Sequence, residues 1–267
     1  MKKLFISADI EGTCGITAWE ETDAEGRGYD YFCRRMTAEV AAAVEGAEPA
    51  GYLSTVKDAH DSARNIDPMG LPRSARLIRG WVRDAYCMMG GLDADDYDAV
   101  AFTGYHSEAV NCGNPLSHTM TRSVQRVTLN GMPCPEFLIN AYMAAYRHIP
   151  IVFLSGDEAL CRLAKSLIPG ITTVVSKTGM GSATISRHPE VVCEEIRDGM
   201  TAALARRDLS DCCLPLPEHF ELTVEYKDWN TAHSYALYPG ATTVDAKTLR
   251  FASDDYFEVM RFMHFCL

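Results

Sequence analysis

The sequence has no C-x-x-C pair, no apolar run of bilayer length, no cluster of lysines and arginines, and no repeat or low-complexity tract. Each absence removes a class of function. Without paired thiols there is no thioredoxin-like redox motif or cysteine zinc ribbon. Without a long apolar run there is no membrane-spanning helix. The two lysines behind Met1 precede too short an apolar stretch for a secretory leader, because Asp9 and Glu11 interrupt it. Cationic residues are also scarce: 25 Lys and Arg stand against 36 Asp and Glu, a formal charge of −11, which argues against a nucleic-acid or anionic-membrane partner. Ten cysteines are present, at 14, 33, 87, 112, 134, 161, 193, 212, 213 and 266. They do not form the ladder of a small disulfide scaffold, and Cys33, Cys161 and Cys193 fall inside helical patterns. The set reads as reduced thiols in a cytoplasmic protein.

What is present is a rhythm of short apolar runs alternating with amphipathic stretches. That pattern predicts an α/β fold, a mostly parallel sheet flanked by helices, with a small C-terminal α+β portion. Strands are expected at 3–8, 51–57, 75–79, 98–103, 150–155 and 172–176. Helices are expected at 29–46, 136–147, 157–167 and from His188-Pro189 to about 206. Asn130-Gly131 between 123–129 and 133–134 signals a hairpin. After the linker-like LSDCCLPLPEHF come strands at 220–226 and 242–251 and a closing helix at 254–266. The chain therefore divides into a body at 1–210 and a smaller portion at 215–267, either an appendage or part of the same domain.

In open parallel sheets, ligands sit beyond the carboxyl ends of the strands. The first strand delivers Asp9 and Glu11 there, and strand alternation puts both on one face. The second ends in KDAHDS and brings His60. The fourth ends in FTGYHSE and brings His106. His118 lies in the NPLSHTM loop, and Glu136 opens the helix after the hairpin. Taken singly, each has an ordinary reading as a cap, loop anchor or dipole partner. Together they would repel unless a divalent cation joined them. Two carboxylates on one strand suit a bridging ligand between two metals. Oxygen and imidazole donors without thiolate favour zinc, with manganese or cobalt as alternatives. Asp58, Asp61 and Glu108 read as solvated loop charges, and Lys177 as a solvated lysine or, less simply, one that offsets charge at the site's edge. Asn140 shares a helical face with Glu136, either orienting it or lying at the surface. Cys14 reads as a packed thiol.

ISADIEG carries an S-x-D-x-E-G signature that resembles the DppA-type zinc-dependent D-aminopeptidase family. The blocks DAHDS, GYHS, LSHTM, the Glu136 segment ending in INAY, SGDEA and YPGATTV resemble that family in order, over essentially the whole chain. Thr13-Cys14 and the Met132–Pro135 approach to Glu136 depart from it. The resemblance implies two zinc ions per subunit held by Asp9, Glu11, His60, His106 and Glu136, with Asp9 bridging. It implies His118 as the catalytic residue, short peptides as substrates, and a homo-oligomer, a ring-shaped decamer. Peptide hydrolysis at a free N-terminus is the leading expectation. The alternatives are a metal-dependent amidase or esterase on a small non-peptide substrate, and a non-catalytic metal-binding assembly protein.

Overall fold

The computed structural model describes all 267 residues. The strands are β1 Lys2–Ala8, β2 Tyr52–Asp58, β3 Arg76–Ile78, β4 Ala99–Tyr105, β5 Val124–Leu129, β6 Met132–Pro133, β7 Ile151–Asp157, β8 Thr172–Met180, β9 Ala183–Ser186, β10 Phe220–Tyr226, β11 Thr242–Asp245 and β12 Thr248–Ser253. The helices are α1 Tyr29–Ala47, α2 Glu136–Tyr146, α3 Glu158–Leu167, α4 Pro189–Leu204, α5 Trp229–Tyr235 and α6 Tyr256–Cys266. No helix is long and apolar enough to cross a membrane.

A seven-stranded sheet in the order β3-β2-β1-β4-β7-β8-β9 forms the body, parallel except for β9, which pairs antiparallel with β8. The KLFISA run of β1 is apolar on both faces because β1 is an interior strand covered on both sides. Leu4, Ile6 and Ala8 point into a core shared with α1 and α4, against Met36, Val40, Ile196 and Met200. Phe5 points the other way, into a core with α2, α3 and α6. Burial of Leu4, Phe5 and Ile6 contributes about 1.5–3 kcal/mol each. Helix α2 is buried along nearly its whole length, since a second layer lies over it.

That second layer is a five-stranded sheet, β11-β12-β10-β5-β6. Its strands β5 and β6, from the first half of the chain, pair with β10 from the C-terminal portion. Residues 215–267 therefore do not stand apart. They close the same core, and Tyr256 donates its hydroxyl to the Ile139 carbonyl of α2 at 2.7 Å. The expected hairpin at Asn130-Gly131 is present, both residues at positive φ (50° and 77°), as a two-residue turn of that kind requires.

Three local expectations need correction. The single strand at 242–251 is a hairpin, β11 and β12, broken at Ala246-Lys247. The strand at 172–176 runs on to Met180 and turns back as β9. The short helix α5 had no expected counterpart. Asp228 caps it, accepting from Thr231 N at 3.1 Å.

Candidate metal centre and catalytic cleft

The first loop leaves β1 beside β4, held by Asp9 N donating to the Thr103 carbonyl (2.9 Å) and Gly12 N to the Gly104 carbonyl (2.7 Å). The approach is tight enough that a Cβ on Gly12 would sit 1.8 Å from the Tyr105 carbonyl oxygen. Only glycine fits there. The strand ends at Ala8, so Asp9 and Glu11 share a face because of this turn rather than by strand alternation.

All six expected site residues converge at the carboxyl edge of β1, β2 and β4. His60 Nδ1 lies 3.4 Å from Asp9 Oδ1 and 3.1 Å from Glu11 Oε2. His106 Nε2 lies 3.5 Å from Asp9 Oδ2 and 3.6 Å from Glu136 Oε2. His118 Nε2 is 3.9 Å from Glu11 Oε1 and 3.7 Å from Glu136 Oε1. Its ring stacks on His106 with centroids 4.4 Å apart. Asp9, Glu11, His106 and Glu136 are almost wholly buried.

The outer ring nitrogens decide which way each imidazole faces. His60 Nε2 meets the Thr22 carbonyl at 3.0 Å, His106 Nδ1 the Ser107 carbonyl at 2.8 Å, and His118 Nδ1 the Leu116 carbonyl at 3.0 Å. A carbonyl only accepts, so each outer nitrogen carries the hydrogen and the inner one turns its lone pair on the carboxylates. This is the outer-shell arrangement of a metal-ligating histidine. The inner atoms Asp9 Oδ2, Glu11 Oε2 and His106 Nε2 are buried without a hydrogen-bond partner. Buried acceptors facing one another without a donor need a cation or extra protons. The donor sets Asp9–Glu11–His60 and Asp9–His106–Glu136 are each compact enough to hold an ion, and they share Asp9. A third set, Glu11–His106–His118, is equally compact.

Without a cation, protons take its place. Burial and the neighbouring Glu11 charge push Asp9 up to about 7. For His106, burial opposes protonation, but Glu136, Glu11 and Asp9 outweigh it and lift the ring to about 10. Burial and the His106 charge hold His118 below its ordinary value.

Several supporting residues differ from their sequence reading. Asp58 is fully buried, not solvated: its carboxylate accepts from Asn65 N (2.6 Å), Asn65 Nδ2 (2.8 Å) and Ile66 N (2.8 Å), folding the loop that presents His60. Lys177 is also fully buried, its Nζ donating to the Glu11 and Ile16 carbonyls, and burial lowers it to about 8. Asn140 is fully buried rather than at the surface, and donates to the Tyr105 hydroxyl at 3.1 Å. Glu108 is half-buried and accepts from Asn111 Nδ2 at 2.9 Å; Asp61 is exposed, as expected. Cys14 is a buried thiol that donates to the Arg187 carbonyl, as its packed reading requires.

Asn114 and Asp157 serve the site without a signal in the sequence. Asn114 Nδ2 donates to the Glu11 carbonyl at 3.0 Å. Asp157 accepts from the N and Oγ of Ser107, both at 2.6 Å, which fixes the turn carrying His106. Nothing in the spacing of SGDEA reveals a bond reaching back 50 residues.

The cluster floors a cleft of about 340 Å³ whose walls include Trp19, Trp81 and Met120, a size for a small ligand. Trp19 lies edge-on to His118, with centroids 5.1 Å apart.

A family model, Peptidase_M55, described as D-aminopeptidase, matches residues 1–265. The chain is 30% identical over 264 residues to a D-aminopeptidase of Bacillus subtilis (strain 168), covering 98% of this chain and 95% of the relative. It is also similar to a solved structure described as a "Zn-dependent D-aminopeptidase DppA from Bacillus subtilis, a self-compartmentalizing protease", with TM-score 0.91 and 28% identity over 99% of this chain and 96% of the other. The chain belongs to the D-aminopeptidase family of peptidases.

Proposed function

We propose that this protein is a binuclear zinc aminopeptidase that releases N-terminal, D-configured residues from short peptides. The observation that carries the reading is the placement of Asp9. One of its oxygens faces His60, which adjoins Glu11, and the other faces His106 beside Glu136. Asp9 would bridge the two ions, with Glu11 and His60 completing one shell and His106 and Glu136 the other. Zinc in such a centre supplies Lewis acidity, polarising a carbonyl and bringing the pKa of water towards neutrality.

The chain's own groups then divide the work. His118 has its Nδ1 hydrogen engaged by Leu116, so its Nε2 lone pair is free to take up a proton or attack at the floor of the cleft. Lys177 and Asn114, both donating to the Glu11 carbonyl, hold the backbone on which that ligand stands. Trp19 and the carbonyl of Leu116 hold the His118 ring from two sides.

The relative's self-compartmentalizing assembly supports a homo-oligomer here, for which we adopt ten subunits. Exposed apolar residues such as Leu237 and Phe265 offer material for such contacts. The ten free cysteines support a reducing, cytoplasmic setting. Hydrolysis of matched D-Ala and L-Ala dipeptides by the zinc-loaded protein tests the activity. D-selective release of alanine is expected. Release from neither peptide would overturn the aminopeptidase reading in favour of an amidase or esterase acting through the same centre.

A further inference from the structure

The cleft is acidic: Asp9, Glu11, Asp23, Asp61 and Glu136 all line it. One lining side chain is permanently cationic, Arg122. Its placement relative to the reacting group is fixed through a chain of contacts. The guanidinium carbon lies 4.8 Å from the Trp19 ring centroid, and Trp19 is edge-on to His118 at 5.1 Å. The same segment is pinned to the cluster, because Met120 N donates to Glu136 Oε1 at 2.6 Å. Arg122 therefore stands no farther from the His118 ring than those two contacts laid end to end, the reach of about two to three extended residues.

Its hydrogen-bonding capacity is largely unspent. The one carboxylate near it, Asp23 Oδ2, is 3.5 Å from Nη1, and both side chains are about half exposed (56% and 48%). Such a pair is screened and weak. Guanidinium presents five donors in a planar fork suited to a carboxylate. Stacking on Trp19 orients that fork at little further entropic cost.

A short peptide carries one amine and one carboxylate at opposite ends. An acidic floor attracts the amine and repels the carboxylate, so the carboxylate needs a cation about a residue or two beyond the scissile bond. We propose that Arg122 binds the free α-carboxylate of the departing portion and thereby selects peptides of about two or three residues. This rests on the aminopeptidase reading above. Arg122 is then a specificity-determining residue: a longer chain would have to carry its backbone past the fork without filling it.

The test compares kcat/KM for D-Ala-D-Ala with that for the same dipeptide as its C-terminal amide, in the zinc-loaded wild type, Arg122→Gln and Arg122→Lys. The wild type is expected to favour the free acid by about tenfold or more, the scale of a charge-assisted hydrogen bond. Arg122→Gln is expected to collapse that preference towards unity, mainly through KM on the acid, and Arg122→Lys to retain part of it. Two results would overturn the proposal while leaving the activity standing. One is a wild type that cleaves acid and amide equally. The other is an Arg122→Gln variant that loses the same factor on both, which would make Arg122 a mere support for Trp19. Cleavage of neither substrate by the wild type would overturn the aminopeptidase reading itself, and this proposal with it.

Discussion

His118 is the most exposed imidazole of the three, with 14% of its side chain accessible against 9% for His60 and none for His106. His60 and His106 are each wedged between two carboxylates at 3.1–3.6 Å, whereas His118 is 3.7 Å or more from its nearest ones. On the proposed reading it acts on substrate rather than on metal. His118→Ala is then expected to leave zinc content unchanged and to lower kcat by about a hundredfold or more, the scale of a lost acid–base group. Metal analysis and steady-state kinetics on one preparation check both halves. A second residue makes a pH prediction. Glu39 on α1 is buried, accepts from Cys14 N at 2.9 Å, and leaves Oε2 unpartnered. Burial raises its pKa from the ordinary 4.5 to about 7. Between those values the folded state holds a proton that the unfolded state has released. Stability from this group is full below about pH 4.5 and is lost as pH rises through about 7. Within that window the fall is at most about 1.4 kcal/mol per pH unit. Glu39→Gln should flatten it, as urea unfolding at pH 5 and pH 8 would show.

At the scale of elements, the site is built from strand ends and from the loops that follow them. Asp157 ties two such ends together. It caps α3 by accepting from Leu160 N at 2.9 Å and fixes the Ser107 turn at the end of β4. Asp157→Ala would orphan three donors at once and is expected to cost about 3 kcal/mol or more in stability. It should also weaken zinc retention, because the turn that presents His106 loosens; denaturant melts and metal analysis after dialysis would show both. The positions of most parallel strands and main helices along the chain were legible, since apolar runs such as KLFISA and PIVFLS have few other places to go. Asp9, Glu11, His60 and His106 stood out because they are polar groups just beyond the ends of such runs, whereas His118 and Glu136 lie in a loop and at a helix start. The structure does bring them together. The burial of Asp58, Lys177 and Asn140 was not legible, because a charged or amide residue after a strand defaults to solvent. Its partners here are backbone groups and a tyrosine hydroxyl brought in from elsewhere in the chain. Helix α5 is seven residues long, too short for its periodicity to register. The β8–β9 turn had a signal in Gly179-Met180-Gly181-Ser182, where Gly181 takes φ 60°.

For the molecule as a whole, the candidate metal centre sits where the two layers meet. Glu136 opens α2, the helix between the two sheets, while Asp9 and Glu11 follow β1, an interior strand of the larger sheet. Three carboxylates packed together weaken the fold when no cation joins them, and ligands that bind the folded state alone stabilise it. Removing zinc with a chelator is thus expected to lower the melting temperature by several degrees, with recovery on re-addition, as scanning calorimetry would record. The most direct test of the central claim, one carboxylate shared between two zinc ions, is the zinc stoichiometry of dialysed protein and its single-site variants. Two zinc ions per chain in the wild type, about one in both His60→Ala and His106→Ala, and fewer than one in Asp9→Asn are the predicted results. A wild type that holds a single zinc at saturation, or an Asp9→Asn variant that still holds two, would contradict it.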